Sequence, residues 1–132
     1  DSLPSRGLGD VYKRQTDWQW KWPLKGSVVE SFDLGKSRKG IRVKNESSKQ
    51  INPAAPGNVV YAGSGLRGYG NLVIIKHSDK VLSAYANNED ILVEVGQSIT
   101  QADPISNLNE NQIVYFEIRR DGSPVDPLQF LK

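Results

Sequence analysis

The segment from residue 58 to residue 89 restricts the fold of this chain more than any other stretch, because it consists of short apolar runs separated by turn residues. Residues 59–62, 71–77 and 81–86 are rich in Val, Ile, Leu and Tyr, which are common in strands. A glycine-rich loop at residues 63–70 joins the first two runs, and a Ser-Asp-Lys turn joins the last two. Such runs between Gly, Asn, Asp and Ser predict antiparallel hairpins.

The same pattern continues in both directions, and a helical period is nearly absent. A chain of 132 residues with 37% hydrophobic residues is large enough for one domain with a core. The sequence therefore predicts a mostly β single domain of twisted antiparallel sheets with little helix. Further strands are predicted at residues 26–32, 40–44, 91–95 and 113–119, a hairpin-like segment at residues 98–103 and 104–108, and one helical turn at residues 125–131.

The N-terminal segment differs from the rest of the chain. Residues 1–16 show no helical or strand period, and we interpret them as a disordered or non-native tail before a domain at residues 17–132. Trp18, Trp20 and Trp22 follow directly and alternate, so an extended chain presents all three indoles on one side. We expect this row to pack on the core; a platform that stacks on sugars is the functional alternative.

Composition excludes several functions. The formal charge of +2 is too small for a nucleic-acid-binding surface, so no nucleic-acid partner is expected. The absence of cysteine excludes disulfides, thiolate zinc sites and a cysteine nucleophile, and no apolar run approaches the roughly 20 residues that span a bilayer. His77 is the single histidine, and one histidine cannot build a histidine zinc site. We expect His77 to be a structural, hydrogen-bonded residue.

Short motifs in a fixed order carry a resemblance to a known family. They include Trp22-Pro23, Lys39-Gly40-Ile41, Gly57-Asn58-Val59-Val60-Tyr61-Ala62-Gly63, Tyr85-Ala86, Phe116-Glu117-Ile118-Arg119 and Pro124-Val125-Asp126-Pro127. Over residues 18–132 the chain resembles the LytM (lysostaphin-type) metallopeptidase domain. Within that family it is similar to murein hydrolase activators of the NlpD and EnvC type, and the sequence LRGYGNL at residues 66–72 is characteristic of the NlpD type. The resemblance implies a barrel-sandwich-like layout with a central groove.

The resemblance also assigns the positions of a zinc site. Active members hydrolyse peptidoglycan cross-bridges with one zinc ion. Aligned with them, this chain has Arg38, Arg42 and Tyr115 at the three ligand positions, and Asn87 and Ile113 at two catalytic histidine positions. A guanidinium group cannot deprotonate, and a catalytic zinc needs about three His or carboxylate ligands. We therefore expect a pseudo-metallopeptidase without catalysis, metal or cofactor.

In the family these positions converge on one groove, so the resemblance implies a partner-binding surface there. Catalytically inactive relatives activate periplasmic zinc amidases, which cleave between N-acetylmuramic acid and the peptide stem during cell separation. We expect Arg38 and Arg42 to pair with carboxylates of such an amidase. The predicted groove residues are Arg38, Arg42, Tyr69, Asn71, Tyr85, Asn87, Ile113 and Tyr115.

Two other interpretations remain open. In the first, the domain binds peptidoglycan through the tryptophan row and the groove without activating an amidase. In the second, Arg38 and Arg42 are solvated surface residues, which usually contribute little, and Tyr115 fills the space that the metal occupies in active members. The resemblance implies a location in the periplasm or cell envelope. It is also consistent with an outer-membrane lipoprotein, whose signal would lie upstream of this sequence.

Overall fold

The computed structural model describes residues 19–132, and ten strands within that range form one antiparallel sheet. Two 3-10 helices of three residues each, Leu34–Lys36 and Pro127–Gln129, accompany the sheet. None of the helices in this range is long and apolar enough to cross a membrane. The strands are β1 Ser27–Glu30, β2 Ile41–Lys44, β3 Gln50–Ile51, β4 Gly57–Gly63, β5 Asn71–Lys76, β6 Val81–Ile91, β7 Ser98–Ile99, β8 Ser106–Leu108, β9 Ile113–Arg120 and β10 Ser123–Val125.

The long strands β6 and β9 lie at the centre of the sheet. The main path runs β1-β2-β9-β6-β5-β4-β7, with β10 paired to β9 and the β3-β8 pair attached to β6. The sequence motif of residues 58–89 forms the meander β4-β5-β6, and β9 then returns from a distant part of the chain to pair with β6. The prediction of a mostly β domain with antiparallel pairing and little helix is confirmed.

One face of this sheet packs the core, because strand side chains alternate between the two faces. Val114, Phe116 and Ile118 of β9 are completely buried, and they pack with Ile41 of β2 and Tyr85 of β6. The opposite face of β9 carries the polar residues between them. Burial of one face of the central strands fixes the register, since a shift by one residue would place polar groups in the core.

Two local predictions are wrong. Residues 91–95 do not form a strand of their own: β6 continues to Ile91, and the next residues make a connection in which Val93 is buried while Leu92 and Val95 are exposed. Residues 98–108 do not form a hairpin, because β7 pairs with β4, whereas β8 pairs with β3 and β6. Pairing with distant parts of the chain determines which of these residues form strands, and a local sequence pattern does not reveal this pairing.

β6 is longer than the sequence pattern indicates. The apolar run ends at Ala86, but Asn87 adopts a left-handed conformation with φ of 70° and the strand continues through polar residues to Ile91. Asn tolerates this conformation better than most residues. At the N-terminal end, residues 19–22 lie outside the strands, and Trp18 and residues 1–16 lie outside the described range. Trp20 packs edge-to-face on Phe130 and on His77.

His77 closes a chain of hydrogen bonds that runs through the core. The Ala54 amide donates to the Tyr85 hydroxyl at 2.9 Å, and the Tyr85 and Ser83 oxygens lie 2.7 Å apart. The Ser83 oxygen lies 2.7 Å from His77 Nε2, and His77 Nδ1 lies 2.7 Å from the Pro56 carbonyl. A carbonyl only accepts, so Nδ1 carries the proton. In the neutral ring Nε2 then accepts from Ser83, and Ser83 accepts from Tyr85.

This arrangement holds the imidazole neutral. Burial lowers the pKa of His77 to about 4, although the Pro56 carbonyl partly opposes the shift, and burial raises the pKa of Tyr85 to about 12. The second proton of His77 would have to enter between Nε2 and a hydroxyl that already donates to it. His77 is therefore a hydrogen-bonded part of the scaffold, as predicted. Both of its ring nitrogens are hydrogen-bonded to neighbouring residues.

We expect acid to destabilise the protein through His77. The folded-state pKa is about 4 and the unfolded value about 6.5, so the unfolded chain takes up the proton first and stability falls as the pH drops through this window. Between pH 7 and pH 4 the wild-type free energy of unfolding should decrease by about 3 kcal/mol more than that of His77→Gln, as measured by urea unfolding. Equal pH dependence of the two proteins would contradict this assignment.

Candidate functional site

A row of four side chains crosses the face of the sheet opposite the core. Backbone pairing places Glu30 of β1 next to Arg42 of β2, Arg42 next to Tyr115 of β9, and Tyr115 next to Ala86 of β6. Directly paired residues project to the same side of a sheet and lie within contact distance. The Arg42 guanidinium lies over the Tyr115 ring at 5.0 Å from its centroid, a cation–π geometry.

Arg38 reaches the same place from a loop. Asp33 caps the 3-10 helix by accepting a hydrogen bond from the Gly35 amide, and a β-bridge between Asp33 and Arg38 closes the turn. Gly40 follows, and a Cβ atom there would collide with the Phe116 carbonyl, so the loop approaches β9 as closely as it does only because residue 40 is glycine.

Glu30 lies between the two arginines. Its Oε2 atom is 3.4 Å from Arg42 Nε, and its Oε1 atom is 4.0 Å from Arg38 Nε. The three side chains retain between 32% and 41% of their exposure, so water screens both pairs. Glu30 holds the guanidinium groups near each other without burying their charge.

These residues line a cavity with a volume of about 330 Å³, which we call the basic groove. Four of its side chains are cationic and one, Glu30, is anionic. Lys39 and Arg67 form no ion pair with any other residue in the described range. The groove therefore has an excess of positive charge at neutral pH. Its lining residues are Glu30, Ser37, Arg38, Lys39, Arg42, Arg67, Gly68, Tyr69, Ala86, Asn87 and Tyr115.

A buried carboxylate supports the wall of the basic groove. The Glu117 side chain is 2% exposed, and it accepts hydrogen bonds from the Tyr115 hydroxyl at 2.6 Å, the Tyr69 hydroxyl at 3.1 Å and Arg119 Nε at 2.9 Å. Sequence analysis identified Glu117 only as part of a family motif. The signal that could have singled it out is the alternation of β9, where residues 115, 117 and 119 share the face opposite the apolar residues.

The Glu117 cluster also keeps its two phenols protonated. Burial raises the pKa of Tyr115 and of Tyr69, and the adjacent Glu117 carboxylate raises both further because it would repel a phenolate. Burial, the largest single effect, would lower the pKa of Arg119, but the hydrogen bond and the charge of Glu117, together with Tyr69, outweigh it and the pKa is raised. The cluster is a negative charge with three fixed donors around it.

A second pocket adjoins the basic groove on the other side of Tyr69. It has a volume of about 210 Å³ and mostly apolar walls, and we call it the apolar pocket. Tyr69 lines both cavities, while Leu66 is 44% exposed at the rim of the second. The lining residues are Leu66, Tyr69, Leu72, Ile74, Leu82, Ser83, Ala84, Glu117 and Arg119.

The glycine-rich loop positions Tyr69 between the two cavities. Gly68 and Gly70 have φ values of 91° and 63°, a backbone conformation that other residues rarely adopt. The Asn87 amide donates to the Tyr69 carbonyl at 3.3 Å, and the Tyr69 hydroxyl donates to Glu117. The loop is therefore attached to the sheet at both the backbone and the side chain of one residue.

The structure brings together five of the eight predicted groove residues, namely Arg38, Arg42, Tyr69, Asn87 and Tyr115. The sequence-based placement of Tyr85 is corrected, because its side chain is completely buried on the core face and hydrogen-bonded to Ala54 and Ser83. The Asn71 side-chain amide donates hydrogen bonds to the backbone carbonyls of Asn88 and Glu89. Ile113 lies at the start of β9, beside Lys44, and lines none of the cavities described here.

The side chains of the basic groove do not fit a zinc ion. Arg38 and Arg42 are permanent cations, and the Tyr115 phenol has a raised pKa and already donates to Glu117. Across residues 19–132, no three His, Cys, Asp or Glu side chains lie close enough together to hold a metal ion. The only carboxylate in the lining is Glu30, which faces two guanidinium groups.

Comparison with known proteins identifies relatives along most of the chain. The model of peptidase family M23 matches residues 36–127. The chain is 41% identical to a lipoprotein NlpD/LppB homolog of Pseudomonas aeruginosa over 97% of its own length and 45% of that protein. It is 42% identical to the murein hydrolase activator NlpD of Escherichia coli over 85% of its own length and 31% of that protein. It thus spans less than half the length of either relative.

Solved structures show the same fold at lower identity. Helicobacter pylori Csd3 superimposes with a TM-score of 0.75 at 20% identity, covering 87% of this chain and 35% of that one. Lysostaphin superimposes with a TM-score of 0.70 at 14% identity, covering 83% of this chain and 51% of that one. These likenesses establish the fold and carry no further functional information.

We expect the two carboxylates of the site to differ sharply in their contribution to stability. Glu117→Ala leaves Arg119 and two hydroxyls without their buried acceptor and should lower the free energy of unfolding by about 3 kcal/mol. Glu30→Ala removes an exposed partner of two arginines and should cost less than about 1 kcal/mol. Urea unfolding of both variants measures the difference, and a loss below about 1 kcal/mol for Glu117→Ala would show that the Glu117 cluster does not support the fold.

Proposed function

The chain belongs to peptidase family M23, and from that premise we propose that it is a non-catalytic member that activates a peptidoglycan hydrolase, specifically a zinc amidase of the cell envelope. The observation that supports this proposal best is the chemistry of the basic groove. Guanidinium and phenol groups stand there, and these are groups that bind proteins well and bind zinc poorly. The Escherichia coli relative is named a murein hydrolase activator, which agrees with this assignment.

The proposal includes the loss of catalysis. Metal-assisted hydrolysis needs an ion that polarises the scissile carbonyl or activates a water molecule. In this groove Arg38, Arg42 and Tyr115 stand at the aligned ligand positions and Asn87 at a catalytic one, and none of them supplies a metal ligand or a base of suitable pKa. The hydrolytic step therefore belongs to the partner, and this domain contributes binding energy.

The charge of the basic groove indicates which kind of partner segment would bind there. Four cations and one carboxylate line it, so an acidic segment gains both electrostatic steering and charge-assisted hydrogen bonds to arginine. Arg38 and Arg42 are close enough to share Glu30, so a carboxylate of the partner would meet two guanidinium groups at once. Arginine and tyrosine are also the residues that most often dominate binding energy at interfaces.

The apolar pocket adds a second requirement. It shares Tyr69 with the basic groove, so a partner segment that crosses this ring would place an aliphatic or aromatic side chain on one side and carboxylates on the other. An amphipathic segment that lies in a groove has this alternation of anchors. Binding of such a segment to this domain would displace it from the amidase, and this displacement would activate the enzyme.

The names of two relatives support a location for this domain. The NlpD/LppB homolog of Pseudomonas aeruginosa is named a lipoprotein, and the Haemophilus influenzae relative, 40% identical over 85% of this chain, is named an outer membrane antigenic lipoprotein. We place this domain in the cell envelope, on the periplasmic side where peptidoglycan and its amidases meet.

We expect reversal of two charges to abolish activation. Arg38→Glu/Arg42→Glu should reduce amidase-dependent dye release from labelled sacculi at least about tenfold, because an acidic partner would then be repelled. The free energy of unfolding should change by less than about 1 kcal/mol, since both side chains are partly exposed. Unchanged stimulation would remove the basic groove from the mechanism.

Two controls accompany this assay. Lys49→Glu/Lys80→Glu makes the same change in net charge at exposed positions outside the basic groove and the apolar pocket, and it should retain stimulation. The wild-type domain alone, with added zinc, should release no dye above background. Dye release by the domain alone would reveal an active peptidase, and sacculus binding without stimulation of any amidase would favour a peptidoglycan-binding module.

The apolar pocket can be tested separately at its rim. Leu66 is 44% exposed, so Leu66→Ser should leave the free energy of unfolding nearly unchanged, but it removes an apolar wall from the partner site. We expect a threefold to tenfold rise in the domain concentration that half-maximally stimulates the amidase, which corresponds to roughly 1 kcal/mol. The exposed Leu128→Ser, far along the chain from this pocket, serves as the matched control and should show no rise.

A further inference from the structure

A third cavity lies apart from the basic groove and the apolar pocket and shares no lining residue with either. It has a volume of about 280 Å³ and lies between the segment that enters the domain and the turn that follows β2. We call it the Trp22 pocket. Its lining residues are Trp22, Pro23, Leu24, Lys25, Asn45, Ser47, Ser48, Gln50 and Asn52.

The lining of the Trp22 pocket is polar but almost uncharged. It combines one indole with three side-chain amides and two hydroxyls, and Lys25 is its only charged residue. The absence of carboxylates among these residues argues against a cation as ligand, and a single lysine is a weak site for a polyanion. Amides and hydroxyls beside an aromatic ring suit a neutral ligand that carries many hydroxyl or amide groups.

Asn45 supplies an independent indication that the pocket takes a ligand. The residue is 3% exposed, and its Oδ1 atom accepts hydrogen bonds from the backbone amides of Ser47 and Ser48 and from the Ser47 hydroxyl. Its Nδ2 group donates to no acceptor within the described part of the chain. Buried amide donors are nearly always hydrogen-bonded, because an unpaired one is costly.

Other groups around the Trp22 pocket are also available. Gln50 uses its Nε2 group to donate to Asn52, which leaves its Oε1 atom to accept. The Ser48 Oγ atom accepts from the Gln50 amide, which leaves its hydroxyl proton to donate. Trp22 is half-buried against the core and forms no ring–ring contact among residues 19–132. Donors, an acceptor and an aromatic surface therefore converge on one cavity.

We propose that the Trp22 pocket binds a saccharide. A pyranose ring would place its C–H face on the Trp22 indole, and its hydroxyl or acetamido groups would pair with Asn45 Nδ2, Ser48 Oγ and Gln50 Oε1. These residues alone support the presence of the site. The class of sugar, an N-acetylated amino sugar of a glycan strand, rests on the proposed function in the cell envelope.

The position of the pocket gives the proposal a functional consequence. Because the Trp22 pocket and the basic groove have no residue in common, glycan and partner can be held at the same time. Attachment of the domain to a glycan strand would raise the local concentration of an activated amidase near its substrate. Such binding can be weak for a single site and still direct where activation occurs.

Nuclear magnetic resonance titration of the whole chain with a neutral probe, the β-1,4-linked tetramer of N-acetylglucosamine, tests the proposal. We expect amide shifts in residues 22, 24, 25 and 45–52 and none at Arg38 or Arg42. Trp22→Ala should weaken binding at least about tenfold, the equivalent of about 1.4 kcal/mol. Trp22→Phe, which keeps an aromatic face, should bind with intermediate affinity.

Two further variants keep the test decisive if Trp22→Ala unfolds. Asn45→Asp retains the oxygen that caps the turn and removes the unpaired donor, and Gln50→Ala removes an exposed side chain. Each should weaken tetramer binding and leave amidase stimulation unchanged when the amidase acts on a soluble peptidoglycan fragment in place of sacculi. Absence of shifts at millimolar tetramer, shifts located elsewhere, or affinity indifferent to all four variants would overturn the proposal. A loss of amidase stimulation without loss of tetramer binding would instead concern the basic groove.

Discussion

The hydrogen-bonded carboxylate of Glu117 is the interaction on which the functional face of this domain depends. A carboxylate that is almost fully removed from water is stable only with several donors, and Tyr69, Tyr115 and Arg119 provide them. Because one donor belongs to the glycine-rich loop and two belong to β9, the same group attaches the loop to the sheet. The partition between the two adjoining cavities exists because Tyr69 is held in this way.

The backbone scaffold determines where the side chains of the basic groove lie, independently of their chemistry. The pairing of β1, β2, β9 and β6 places Glu30, Arg42, Tyr115 and Ala86 in one row, whatever chemistry those positions carry. Here the centre of the row holds the Arg42 guanidinium over the Tyr115 ring. The backbone geometry determines where these side chains lie, and side-chain identity decides what the row can bind.

The sequence predicted the composition of the sheet better than its connections. Apolar runs bounded by turn residues located β4, β5 and β9, because these strands pack a core with period two. β7 and β8 are two and three residues long, and they are defined by partners at least forty and fifteen positions away in the chain, so the local pattern misassigned them. The groove residues came from family resemblance and strand alternation. Tyr85 was misplaced because a phenol can serve the core as well as a surface, and Glu117 was overlooked because its burial depends on the loop above it.

Glu30 has a consequence for the kinetics of any complex formed in the basic groove. At Arg42 and Arg38, an incoming carboxylate would not meet bare cations but would exchange places with Glu30, which lies 3.4 and 4.0 Å from the two Nε atoms. Such an exchange keeps the guanidinium groups oriented, which reduces the entropy lost on association. It also returns little net energy per contact, so dissociation stays fast. Under the proposed function, a short residence time would allow one domain to engage several hydrolase molecules in turn.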